Sequence, residues 1–301
     1  MLPLASPAFN RRYRFDIGPA ASVGRRYSDL QFTFDIKQDT DEEPNVSTFT
    51  IFNLNPDSRG WIQAIANGQV SFSAGYGDSM SLLFQGDVAQ VRHEKDDTDW
   101  RTVVEAGDGE VAYRDGHISL SRAPGATRRS ILESAAAELG LGLYVSASGD
   151  TADFLDAPYT EGVSFHGAAQ DLIRRLARGS GREWSIQNAM LQLIHEGGAT
   201  NLPAVRLSAS TGLIGTPKPA KQKIQLVGGD RRPRAGESRE EEPGVTVSSL
   251  LNPLLRPGQL VQLESLAVSG IFVVRSAHHT GDYRGDKWNT EAELGSVARD
   301  G

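Results

Sequence analysis

Residues 245–294 read VTVSSLLNPLLRPGQLVQLESLAVSGIFVVRSAHHTGDYRGDKWNTEAEL. Leu260, Val261 and Leu263 form a short apolar run behind two turn signals, Asn252-Pro253 and Pro257-Gly258. Ser269-Gly270 marks the next turn. Ile271 to Val274 is then a run of β-branched and aromatic residues, the types that fit a pleated, half-buried surface. A polar tip, Thr280 to Asp286, leads into a last run from Lys287 to Leu294. Runs this short between turns this tight predict antiparallel strands, and with them a mainly β fold.

The N-terminal third repeats the pattern. Phe9 to Ile17 alternates polar with apolar residues, and Leu30, Phe32, Phe34 and Ile36 recur at a spacing of two, as one buried face of a strand requires. Asp39 to Pro44 is an acidic turn, and Phe49, Ile51 and Leu54 make the returning strand. Asn55-Pro56-Asp57 opens a short helix, with Asn55 as its cap and Trp61, Ile62 and Ile65 on its apolar stripe. Val70–Tyr76, Ser81–His93 and Trp100–Ala106 follow as strands, giving a small β-barrel or sandwich plugged by one helix.

The middle third changes character after Arg122-Ala123-Pro124-Gly125. Thr127 caps an amphipathic helix through Ile131, Leu132, Ala135 and Leu139 that stops at Gly140. Leu141–Val145 is a strand, and Thr151–Tyr159 a polar connection. Ala168–Arg178 is a second helix, and Gln187-Asn188-Ala189 turns a hairpin between Trp184–Ile186 and Met190–Ile194. This is a small α+β unit of two helices and several strands. Beyond it come a strand at Val205–Leu207 and a turn-rich link, Gly212 to Pro217. Residues 218–244 are dense in Gly, Pro, Arg and Glu and read as a mobile loop. Its arginines Arg231, Arg232 and Arg234 are candidates for binding a neighbouring subunit or spike; the plainer alternative is a solvated connector.

Several of these strings, taken in order, carry a resemblance. Ser47–Leu54 (STFTIFNL), Val70–Tyr76 (VSFSAGY), Leu83–Val88 (LFQGDV), Gly212–Pro217 and the 250–294 stretch resemble the tail-hub proteins of contractile-tailed bacteriophages. These include the hub of the T-even baseplate and the "protein D" class. The resemblance implies two tube-protein-like antiparallel β-barrel or sandwich domains, residues 1–112 and 201–301, flanking the α+β unit at 113–200. It further implies a homotrimer that joins the six-fold tail tube protein to a three-fold central spike protein, contacts other baseplate proteins and leaves a channel for genomic DNA. The expected location is the virion tail baseplate, assembled in the host cytoplasm. Two alternatives stay open: a tail-associated cell-wall hydrolase or peptidase, and the hub of a tailocin or gene-transfer particle.

Bulk properties narrow the classes. The 301-residue chain carries a net charge of −7, which argues against a general nucleic-acid binder. It has no cysteine, so disulfides and thiolate metal sites are excluded. No apolar run approaches a membrane span, and no secretory signal is visible, so membrane insertion is not expected. His278 and His279 with Asp282 are the best metal candidates, but neighbouring residues of a strand face opposite sides. Asp96, Asp97 and Asp99 lack the glycine and terminal glutamate of a calcium loop. Glu161 and Asp171 are a conceivable carboxylate pair, which works only at a defined separation across a sugar. No phosphate cradle, nucleophile elbow or Walker lysine is present. The sequence therefore predicts a structural protein with no catalytic residues, no metal and no cofactor.

Overall fold

The computed structural model describes residues 10–19, 24–65, 68–147, 154–222 and 242–297. The first third forms β1 (Arg11–Pro19), β2 (Arg25–Tyr27), β3 (Phe32–Asp39), β4 (Val46–Phe52), α1 (Pro56–Gln63), β5 (Gly68–Tyr76), β6 (Ser79–Asp96) and β7 (Asp99–Gly107). The middle third forms α2 (Glu110–Asp115), β8 (His117–Arg122), α3 (Arg128–Glu138), β9 (Gly142–Val145), β10 (Val163–Ala168), α4 (Ala169–Gly179), β11 (Arg182–Gln187) and β12 (Met190–His195). The last third forms β13 (Val205–Ser208), β14 (Leu213–Gln222), β15 (Glu242–Leu250), β16 (Leu260–Glu264), β17 (Ser269–Asp282) and β18 (Trp288–Ser296). The fold is mainly β, as the alternating patterns require.

Both β-rich thirds share one thirteen-stranded sheet, ordered β14-β15-β18-β17-β3-β4-β7-β6-β5-β1-β2, with β16 on β17 and β13 on β16. Strand β17 makes this possible. Its first half pairs with β16 (Leu260 opposite Val273), and its second half pairs on the same side with β3 (Ile36 opposite His279). β18 backs both halves, and its register slips between Val274 and Ser276, where β17 changes partner. Such a bulge bends a strand, which lets β17 leave one wing of the sheet and enter the other. The β13–β16 pair is parallel, because β14 and β15 intervene as a crossover.

Each wing wraps its own core. Phe15, Phe32, Phe49, Phe72 and Phe84 fill the first, all fully buried, with Phe32 stacked on Phe72 at 5.4 Å. The last third contributes Leu251 and Trp288 to this same cluster, and Trp288 meets Phe34 edge-on at 5.2 Å. Leu207, Val247, Val261, Leu263, Val274 and Leu294 form the second core. A third lies in the middle unit, where Leu172, Ile173 and Leu176 of α4 pack with Ile131, Leu132 and Trp184. The helix caps follow the sequence: Asn55 Oδ1 accepts from Ser58 N at 2.7 Å and Thr127 Oγ1 from Ser130 N at 3.2 Å.

Some expectations are corrected. Of the link expected at Gly212–Pro217, residues Leu213 to Pro217 are part of β14, which pairs with β15 around an irregularity between Ile214 and Lys218. Pro217 falls within that irregularity, and β14 is an end strand of the sheet among the described residues, the position where sheets accommodate proline. Of the loop expected over 218–244, residues 218–222 and 242–244 are instead paired strand ends. Residues 223–241 lie outside the described residues. The polar tip starts later than Thr280, because β17 runs to Asp282. The middle unit holds a third helix, α2, and a strand, β8, that the sequence did not announce.

The junction gives a stability test. A Cβ built at Gly281 would lie 2.8 Å from Trp288 Cε3 and overlap the Phe34 ring. Gly281→Ala should therefore destabilise the chain by about 1–3 kcal/mol through overpacking, read as a lower urea midpoint. An unchanged midpoint would mean the two thirds are not packed together there.

Candidate assembly interface

The side chains singled out for chemistry do not converge. His279 is fully buried and shares a 2.9 Å hydrogen bond between its Nδ1 and Thr290 Oγ1. His278 faces the other way and meets Asp35 Oδ1 at 2.9 Å through Nε2. Asp282 is occupied as a turn acceptor, receiving Gln31 Nε2 at 2.7 Å and Gly285 N at 2.9 Å. Asp96 pairs with Arg101, and Asp99 accepts from Asn53 Nδ2 at 3.0 Å, so both serve the β6–β7 hairpin. Among the described residues, no group of three or more His, Asp or Glu is gathered to hold a metal ion. Asp171 lies 3.2 Å from Arg174 in the wall of an open groove of about 520 Å³, and Glu161 is not part of that wall. Arg231, Arg232 and Arg234 fall outside the described residues. No helix among the described residues is long and apolar enough to cross a membrane.

A buried carboxylate that sequence reading missed holds the middle unit in place. Asp108 is fully buried beside the end of β7, and it accepts N–H bonds from Asn188 and from Ala189, the latter at 3.1 Å. Those two residues form the β11–β12 turn with φ of 54° and 60°, a left-handed pair that directs successive N–H groups at one acceptor. Asn188 Oδ1 in return accepts from Gln85 N at 2.9 Å, and Gln187 Nε2 donates to Asp39 O at 2.6 Å. Two ion pairs flank the latch: Arg174 with Glu42 at 2.8 Å, and Glu183 with Arg275 at 3.8 Å. Arg275 sits at the bulge where β17 changes partner, so the middle unit braces the seam between the wings. The only sequence signal was Asn188 in a tight turn, which says nothing of its distant acceptor.

Burial shifts both enclosed groups. It pushes His279 down to about 3, with the neighbouring His278 adding to the effect. It pushes Asp108 up to about 7, against the pull of its two backbone donors.

The outer surface offers material for assembly. Leu266 at the β16–β17 turn is fully exposed, Ile271 beside it is 64% exposed and Leu254 is 50% exposed. The sheet ends at β2 and β14, whose outer edges are unpaired among the described residues. Exposed edges and apolar tips are hazards for a lone chain and contacts for an assembled one.

Comparison with known proteins gives one consistent result. No family model matches the sequence, and no curated protein matches it. Among solved structures, the 43 kDa tail protein of prophage MuSo2 from Shewanella oneidensis aligns over 96% of this chain and 99% of its own, with a TM-score of 0.62 at 10% identity. The chain has the fold of phage tail proteins. A tail protein from Neisseria meningitidis aligns over 94% of this chain and 96% of its own, with a TM-score of 0.61 at 13% identity. An Escherichia coli component of the type VI secretion system, described as similar to tail proteins of bacteriophage T4, aligns over 90% of this chain and 74% of its own. Its TM-score is 0.58 at 11% identity. The architecture is thus shared at identities where sequence comparison finds nothing.

His279 and Asp108 oppose each other in pH. Folded His279 stays neutral where the unfolded chain protonates it, so its contribution to stability falls as pH drops from about 6.5 towards 3. Folded Asp108 keeps a proton that the unfolded chain releases above about 4, so its contribution falls as pH rises from about 4 to 7. Each masks the other between about pH 4 and 6.5. In His279→Gln, stability in urea should rise as pH falls through that window; in Asp108→Asn it should fall, by up to about 1.4 kcal/mol per unit. Parallel slopes in the two variants would contradict this assignment.

Proposed function

We propose that the chain is the structural hub of a phage tail baseplate, a homotrimeric ring joining the six-fold tail tube to the three-fold central spike. The observation that carries this reading is the fusion of two curled β wings, each with its own core, into one sheet through β17. Three copies then present six β units on one face, while the ring keeps three-fold symmetry for the spike. In domain terms, residues 1–112 and 201–301 are the two tube-like units, and residues 113–200 form an α+β unit that decorates the ring.

Other tail and baseplate components are its partners. The chain resides in the virion after assembly in the host cytoplasm. The role needs no catalytic group. Three chains at −7 each carry about −21, and an acidic lumen would repel phosphates and let DNA slide through. The likeness to a type VI secretion component favours one second reading, a hub of a phage-derived contractile particle such as a tailocin or gene-transfer particle, with the same ring physics.

Light scattering with negative-stain imaging of the purified chain tests the proposal. The expected result is a trimer mass and a three-fold ring with a central channel and six peripheral lobes. A monomer at every concentration, alone and with tube and spike proteins added, contradicts it.

A further inference from the structure

We propose that the groove between β10 and α4 docks an extended acidic segment of a partner protein. The segment adds as a strand along β10 and sets its carboxylates on Arg175 and Arg178. One wall of the groove is Phe165, His166 and Gly167 of β10, and the other is Asp171, Arg174, Arg175 and Arg178 of α4, three cations to one carboxylate. The volume is about 520 Å³, and His166, Arg175 and Arg178 are exposed to solvent.

The charge is organised. Residues 171, 174, 175 and 178 recur at helical spacing, so they share the face of α4 opposite the buried Leu172, Ile173, Leu176 and Ala177. Arg174 is already neutralised, by Glu42 at 2.8 Å and Asp171 at 3.2 Å. Arg175 and Arg178 have no acidic partner among the described residues. Arg175 also stands over Phe165, its guanidinium 5.8 Å from the centre of the ring. Two unpaired arginines one helical turn apart, on a chain of net charge −7, form a specific local inversion of sign.

The backbone adds a second recognition element. Among the described residues β10 pairs with β8 alone; consecutive residues 165–167 of β10 and no β8 residue line the groove, so it runs along the edge of β10 that β8 leaves open. That edge offers outward N–H and C=O groups at alternate residues. Arg175 and Arg178 are separated by about 4.5 Å along the helix axis, and same-face residues of a strand by about 6.8 Å. Flexible arginine side chains cover the difference, so acids at alternate positions of an added strand reach both. A nucleic acid fits less well: it cannot satisfy a strand edge, and the nearby cleft lined by Asp35, Asp39, Asp41 and Glu43 repels it. The site does not depend on ring formation.

The test uses the full chain and a fluorescein-labelled peptide of about six residues alternating glutamate and valine, matched to the length of β10. Fluorescence anisotropy at low salt should show saturable binding. Binding should weaken about tenfold or more in the double variant Arg175→Glu/Arg178→Glu, and likewise for a peptide with N-methylated valines. Both arginines are exposed, so the variant should keep the parent's circular dichroism and melting temperature; Arg178→Gln provides a milder second variant with an intermediate loss. No saturation at millimolar peptide overturns the proposal, as does equal binding of a lysine–valine peptide. Binding that ignores the arginine variants or N-methylation, or a preference for a single-stranded oligonucleotide over the peptide, also overturns it.

Discussion

The structure depends on one strand serving two cores. β17 is long enough, at fourteen residues, to border β16 with one half and β3 with the other, while β18 runs behind both. Side chains on its inward face change role along its length. Ala277 packs into the second core, His279 sits fully buried between the cores, and Gly281 gives way to Phe34 and Trp288 of the first. The sequence at this seam is constrained by size: a small residue where the rings press in, and a neutral imidazole paired with Thr290 where two hydrophobic clusters meet. Backbone pairing across the seam makes the two wings a single sheet, with no linker between them to flex.

The middle unit bears on the same seam. Its hairpin turn is fixed by Asp108 and Gln85 of the first wing, and Glu183 reaches Arg275 at the bulge of β17. The loop from Leu251 to Gly258 closes from the other side: Gly258 N donates to Val274 O and its carbonyl accepts from Thr200 N. A positive φ of 81° at Gly258, with Ile194 and Gln192 against its α-carbon, explains why Pro257-Gly258 stands in the stretch that organises the chain. Its chemistry is spent on positioning. The buried His and Asp shape stability, and Arg175 and Arg178 lie on the exposed stripe of α4.

Local elements were legible because their causes are local. Phe32, Phe34 and Ile36 alternate in sequence and are buried in space, and Asn55 and Thr127 cap the helices that their spacing announced. The mainly β class followed from the same periodicity. What stayed hidden was set by distant partners. The β3–β17 pairing joins residues as far apart as Asp35 and His278, and no periodicity encodes which strands meet. β14 read as a link because Gly215, Pro217 and Pro219 are turn formers, and only its place at the end of the sheet makes them acceptable in a strand. α2 has six residues, too short for a 3.6-residue period to show. Asp108 and the arginines of α4 carry no local signal, because what singles them out is a hairpin turn eighty residues away and a groove wall.

Native-state hydrogen exchange across the seam tests the central claim most directly, that β17 fuses two β units into one cooperative sheet. Seam amides of β3 and of the second half of β17 should exchange only through global unfolding, with protection equal to that of the β4–β7 pair inside the first wing. Seam amides that open well below the global free energy, with the two wings unfolding separately, would contradict it.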